Sequence, residues 1–270
     1  SVTGVEQPGG DVSISNTGDL TLDGAINTKA GANSALAGGA VVLKSTGAVT
    51  LNAAIDTTGG SSTAAADADT AGAGGNVFVY SSTSGAITQA VGGTITAKGG
   101  NAADAGDVNG TGGVVTLRTV SGAITLNDVI TTGAGTGGTG GAGGTIQFKS
   151  AGGDITQPGG SLTAANVKAV SDSNVSLTRT GNNATTIAAS VTAANKAFSY
   201  TDTDGVSVGQ VSADSTQDGG AATLGTVTGL TTLGNTGGTV TVSAGGLLTV
   251  DQAINTKAGA NSALAGGAVV

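Results

Sequence analysis

The chain has 270 residues, with nine basic against seventeen acidic side chains, 51 Gly, two Tyr, three Phe and no Trp, Cys or His. So few large side chains exclude a conventional globular core of this length, and the lack of Cys excludes a disulfide-stapled scaffold and thiolate chemistry. A hydrophobic fraction of 38% with 10% charged residues is equally unlike a disordered chain, and no apolar run approaches the ~18 to 20 residues that cross a bilayer.

From the N-terminal end, one phrase recurs: a Gly pair followed by an alternating apolar run. GGDVSIS begins at 9, GGAVVLKS at 38, GGNVFVYS at 74, GGVVTLRT at 112, GGTIQFKS at 143 and GGTVTVSA at 237. The first five starts are unevenly spaced, so the coil varies in length. Within them Val12 and Ile14, Val41 and Leu43, Val77 and Val79, Val115 and Leu117, and Ile146 and Phe148 alternate with polar or small residues. That period of two predicts strands with one buried face.

A second phrase follows each of these, built on Gly-x-apolar-Thr: GDLTLDGAINT at 18, GAVTLNAAIDT at 47 and GAITLNDVITT at 122. A shorter form, GAITQAVGGTITA at 85, returns as GDITQPGGSLTA at 153, with Gln89 and Gln157 where Leu51 and Leu126 stand elsewhere. Such Gln side chains, if they point inward, must bond their neighbours. Asp23, Asn52, Asn127 and Asp251 share one corner position after the second strand, which predicts a polar turn able to ladder along a stack. Each coil thus offers two or three short strands between glycine turns. The loops that end the coils vary most, and GAGTGGTGGAGG and its like are expected to be flexible. They lack the Lys-Ser/Thr ending of a phosphate loop.

Residues 165 to 236 loosen the pattern but still alternate in NVSLTRT and KAFSYTDTDGVSVGQV, so residues 1 to 270 read as one continuous solenoid with less regular coils there. The last stretch explains the arrangement. AINTKAGANSALAGGAVV at 25 to 42 returns unchanged at 253 to 270, so that every position of the phrase recurs with a period of 228. The chain therefore reads as a window of a tandem array, with about eight coils per unit. At about 4.8 Å per stacked strand a unit would be about 38 Å long. Further copies of the same repeat are the first expected partner.

The combination of these coils with NVSLTRTGNNATTIAASVTAANKAFSYTDTDGVSVGQV at 174 to 211 resembles the repeat regions of giant secreted bacterial proteins of the filamentous haemagglutinin type. That resemblance implies an all-β, right-handed parallel β-helix at the cell surface or outside the cell, serving as adhesin or fibre. It also points to host or surface glycans as partners and supplies no catalytic motif, while the low charge density and small side chains suggest lateral self-association.

Other chemistries are poorly supplied. Parallel β-helix enzymes work with clustered carboxylates and basic partners. Here the lone Glu6, Arg118 and Arg179 converge on nothing, while Asp67, Asp69, Asp104 and Asp107 fall in loops and read as solvated charges. No enzyme and no cofactor is expected. Asp202 and Asp204 in TDTDGV resemble the start of a calcium loop without its distant Glu, so they are weak metal candidates beside an ordinary turn. The basic residues show no patch and no aromatic companions, so no nucleic acid is expected. An ice-binding surface of ranked Thr is suggested by TIT at 94 and TVT at 239, but the Thr positions are not expected to hold one column.

Overall fold

The alternating phrases become strands whose every second side chain enters a shared interior, and the Gly pairs become corners. The computed structural model describes residues 1–32, 34–63, 69–213, 224–233, 238–256 and 268–270, which hold strands and no helix.

After a short β1 (Val5–Glu6) the chain runs in circuits of three strands. The first is β2 (Val12–Asn16), β3 (Leu20–Leu22) and β4 (Ile26–Asn27), and the second is β5 (Val41–Ser45), β6 (Val49–Leu51) and β7 (Ile55–Asp56). The third is β8 (Val77–Ser81), β9 (Ile87–Gln89) and β10 (Ile95–Thr96), and the fourth is β11 (Val114–Thr119), β12 (Ile124–Leu126) and β13 (Ile130–Thr131). The fifth opens with β14 (Thr145–Ser150) and β15 (Ile155–Thr156), and its third strand runs on into the sixth circuit as β16 (Leu162–Ser171). After β17 (Val175–Leu177), β18 (Asn183–Val191) again takes the corner without a break, before β19 (Phe198–Asp202) and β20 (Val206–Val208). A hairpin of β21 (Gln210–Val211) and β22 (Val227–Thr228) then leaves the circuit. The path resumes with β23 (Leu230–Thr232), β24 (Val240–Ala244), β25 (Leu248–Val250) and β26 (Ile254–Asn255).

Strands in the middle of the stack pair in parallel with their counterparts one circuit before and after, which satisfies both backbone edges as no single circuit could. The arrangement is all-β, dominated by parallel pairs and compatible with a solenoid. Three faces result. The first carries β2, β5, β8, β11, β14 and the later parts of β16 and β18; the second carries β3, β6, β9, β12, β15, β17 and β19; the third carries β4, β7, β10, β13 and the first residues of β16 and β18. Among the described strands only the hairpin pair is antiparallel.

The core is a set of aliphatic columns. Val12, Val41, Val77, Val115 and Ile146 are successive partners on the first face, as are Ile14, Leu43, Val79, Leu117 and Phe148. All are buried except Ile14, which is half-buried. Leu20, Val49, Ile87, Ile124 and Ile155 line the second face, and Ile26, Ile55, Ile95, Ile130 and Leu162 the third. Each contributes about 1.5 to 3 kcal/mol by burial, so many small columns stand in for a few large side chains.

The stretch from 165 to 213 continues these faces with shorter circuits. Val167 and Ile187 extend the column of Ile146, each following its predecessor more closely in sequence than Ile146 follows Val115. Opposite Phe148 the column narrows to Ala169 and Ala189, while the second face widens to Phe198 and Tyr200. Interior volume is conserved by exchange between faces, as close packing demands.

Candidate functional site

The variable loops of the first four circuits, where they are described, bond to one another through their backbones. Each leaves the third face and returns through a Gly pair. The second Gly donates its N–H to the strand just left: Gly39 to Thr28 O (2.8 Å), Gly75 to Thr57 O (2.7 Å), Gly113 to Ala97 O (2.8 Å) and Gly144 to Thr132 O (2.6 Å). The loop is thereby pinched shut at its neck. Beyond the neck the outgoing and returning legs pile on one another through backbone alone. Gly60 N–H donates to Leu36 O, Gly72 to Gly60, Gly100 to Gly72, Gly110 to Gly100 and Gly135 to Gly110, at 2.8 to 3.0 Å. A Cβ on Gly100 would run into Gly60 O, and one on Gly135 would run into Gly100 O. Only glycine allows this approach.

The outer part of this fin has its own polar centre. Thr70, Val108 and Thr139 bridge in parallel from loop to loop. Asp107, read from sequence as a solvated charge, is fully buried: its carboxylate accepts from the Ser62 hydroxyl and from the N–H groups of Asp69 and Ala103 (3.1 and 3.2 Å). The Ser62 hydrogen bond leads in holding its carboxyl below the usual range, assisted by backbone donors and opposed by burial. Asp104 is exposed and turns its own loop through Gly106 N–H (2.8 Å). Asp67 lies outside the described residues.

The outward columns overturn two expectations. Thr side chains do hold one column: Thr21, Thr50, Thr88, Thr125 and Thr156 are successive partners on the second face, continued by Ser176, Ser199 and Thr241. All eight are half-buried hydroxyls, spaced about 4.8 Å apart along the stack. Basic residues also align. Lys44, Tyr80, Arg118 and Lys149 are successive outward partners on the first face. The Arg118 guanidinium lies over the Tyr80 ring, 5.2 Å from its centroid. Burial, with the Arg118 charge second, lowers the Lys149 ammonium pKa.

The predicted corner column divides. Asn52 Nδ2 donates to Asp23 Oδ1 (2.8 Å), a rung along the stack. Asn127 is separated from Asn52 by the intervening circuit and donates instead to Gln89 O (3.0 Å). Asp251 follows β25 and donates its N–H to Val208 O (3.0 Å), at another corner of the cross-section. Gln89 is buried between Leu51 and Leu126, donating to Gly93 O and Val129 O (2.9 and 3.2 Å).

Gln157 and the unforeseen Asn182 form the strongest polar centre of the short circuits. Their amides exchange two hydrogen bonds (2.7 and 3.0 Å), and Asn182 also accepts from Leu162 N–H and donates to Leu177 O and Thr201 O. One circuit on, Asp202 is buried with its carboxylate accepting from Tyr200 OH (2.9 Å), Ala184 N–H (2.9 Å) and Asp204 N–H (3.1 Å). Burial dominates and raises the Asp202 pKa, while burial and the Asp202 charge push the Tyr200 phenol up. Asp204 is exposed and accepts from Asn183 Nδ2 (3.1 Å). Asp202 thus faces protein donors, and among the described residues no group of three or more His, Cys, Asp or Glu gathers as a metal would need.

The hairpin lies on the outside of the first face. Val211 and Val227 pack on Ala188 and Val170, and the buried Lys168 ammonium donates to Ser212 O, Leu224 O and Gly225 O (2.9, 3.2 and 3.2 Å). No protein-family profile, curated protein or solved structure matches the chain. Its surfaces must therefore be read from their own geometry.

Proposed function

We propose that this chain is a structural segment of a long extracellular bacterial fibre, a right-handed β-solenoid serving as spacer, scaffold or adhesin stalk of the filamentous haemagglutinin kind. The observation that carries the reading is the junction between repeat copies. β24, β25 and β26, which belong to the second copy, pair directly onto β19, β20 and β23 of the first. A unit whose last circuit is the template for the next lengthens by duplication without inventing an interface. Further copies of the repeat are then its principal partners, with lateral association into bundles and surface glycans at its sides or tips. The test is electron cryomicroscopy of the native full-length material: the reading expects rods with an axial spacing near ~4.8 Å. Compact particles without that spacing would sink it.

A second reading, a solenoid binding surface of glycan- or ice-binding type, is favoured by the hydroxyl rank from Thr21 to Thr241 on the second face. It ranks lower because the three-residue second-face strands β3, β6, β9, β12 and β17 each offer one outward residue, so along them the rank is a single line rather than a plane. Thermal hysteresis abolished by Thr88→Lys and Thr125→Lys would promote it; no hysteresis in the unaltered chain would dismiss its ice-binding form.

A further inference from the structure

The two copies of the repeat do not occupy the same faces. Val12 of the first copy lies on the first face opposite Val41, whereas its counterpart Val240 lies on the second face opposite Phe198. Leu20 stands on the second face opposite Val49, but its counterpart Leu248 stands on Val206 of β20, a strand that leads onto the first-face residues Thr186 and Ile187 of β18. Ile26 belongs to the third face with Ile55, while Ile254 stands on Leu230, in the first-face column that passes through Ala189. Val41 opens a first-face strand, and Val269 bridges Val240 on the second. The counterparts of Val12, Ile26 and Val41 are displaced in the same sense, each one face on around the circuit, and Leu248 has left the second face with them. They cannot be separate local slips.

Counting strands from β2 to β24 gives seven full circuits and one face more. The expected eight is replaced by a number that is not whole, because β16 and β18 compress their circuits and the hairpin takes the chain out of the seventh. We infer that the repeat unit is a screw element, each tandem copy mounted about a third of a circuit on from the one before. The orientation then returns after three copies. At about 4.8 Å per circuit, one copy advances roughly 35 Å and the full return takes roughly 105 Å. The inference does not rest on the fibre reading, since the relation lies within this chain.

The screw decides what a partner can meet. Thr249, the counterpart of Thr21, stands on Ser207, so the second-face rank is continued by Thr241, the counterpart of Ser13. The connection after β4 leaves the third face and returns on the first, whereas the chain leaves β26 on the first face and returns at Val269 on the second. A flat surface along one side of an array would meet a given loop once in three copies. A bundle of parallel rods would meet it on three sides in turn, so the surface suits further copies of this chain packed around each rod.

The chain lacks Cys, so paired cysteines give a clean test. Thr201 and Ser243 are strand partners, as are Thr231 and Asn255. Mounted in phase, β24 would instead stand on β23 and put Ser243, the counterpart of Ser15, opposite Thr231, which lies in the column begun by Ser15 and Lys44. The double variants T201C/S243C and T231C/N255C should cross-link at least ~10-fold faster than T231C/S243C, since a disulfide or short bis-maleimide needs near-neighbour Cα atoms. Preferential cross-linking of T231C/S243C would overturn the screw. So would failure of both other pairs in variants whose urea midpoints match the unaltered chain.

Discussion

The stretches from 12 to 144 and from 145 to 208 build the same three faces by opposite treatments of one corner. In the first region, the chain leaves the third face and makes a loop before it re-enters at a Gly pair. In the second, β16 and β18 take the corner in stride and the circuit shrinks, bringing Val167 and then Ile187 quickly back beneath Ile146. The inward columns pass through both without interruption. Pairing register is therefore set by the buried alternation, and the corner is free to be elaborated or suppressed. The regions differ in what holds that corner. Close-packed backbone does so in the fin and the unbroken strand does so in the short circuits, where buried amide side chains instead hold the preceding corner, between the second and third faces.

The strongest way to break this comparison is at Asn182. Asn182→Leu leaves Leu162 N–H, Leu177 O, Thr201 O and both ends of Gln157 unmet. At about 1 to 3 kcal/mol for each buried group left unpaired, a loss of roughly 3 kcal/mol or more is expected. Urea unfolding followed by far-ultraviolet circular dichroism measures it. A loss under about 0.5 kcal/mol, the level of ordinary surface changes, would mean that the short circuits are held by apolar columns alone.

Gly100→Ala is the matching change in the fin. Its Cβ would collide with the Gly60 carbonyl, and about 1 to 3 kcal/mol is expected for such overpacking. Hydrogen exchange should rise at Gly60, Gly72, Gly100 and Gly110 while Val167 to Val191 stay protected. Uniform loss of protection would show that fin and faces unfold as one unit.

A smaller effect is read by pH. Burial raises the folded-state pKa of Asp202 above its ordinary value near ~3.9, so its penalty is full above the raised value and is relieved as pH falls towards ~3.9. Asp154 and Asp107 have lowered values, led by hydrogen bonds from Ser173 and Ser62 respectively, and their stabilising contribution is lost only below about 3.9. Between neutrality and about pH 4, therefore, the unaltered chain should gain on Asp202→Asn as the pH falls. Parallel urea midpoints for the two across that window would remove Asp202 from the account.

Much of the fold was legible. The phrases GGxVxL, GxIT and IxT mark the three faces because period-two burial writes itself into sequence. The hydroxyl rank was equally present, one Thr from each of GDLTL, GAVTL, GAITQ, GAITL and GDITQ, but it is invisible to a search for triplets within single strands. The alignment of Lys44, Tyr80, Arg118 and Lys149 likewise occupies one place in the GG phrase and needed only the phrases to be superposed. The fin was not legible. Backbone-to-backbone piling uses no side chain, so a glycine-rich stretch that stacks reads like one that does not. Asn182 was hidden because its partners lie on three circuits, and the face change of the second copy because it depends on circuit lengths between 145 and 236.

The direction of the hydrogen bonds has a mechanical consequence. Because strands run around the stack, their bonds to neighbouring circuits lie along its length, and tension applied end to end loads them one circuit at a time rather than all in shear. Such a stack would yield by peeling. Each released circuit, roughly 20 to 38 residues long, would add roughly 65 to 135 Å of extended chain, so the fin-bearing circuits would act as the longer extensible elements in series with short, stiffer ones.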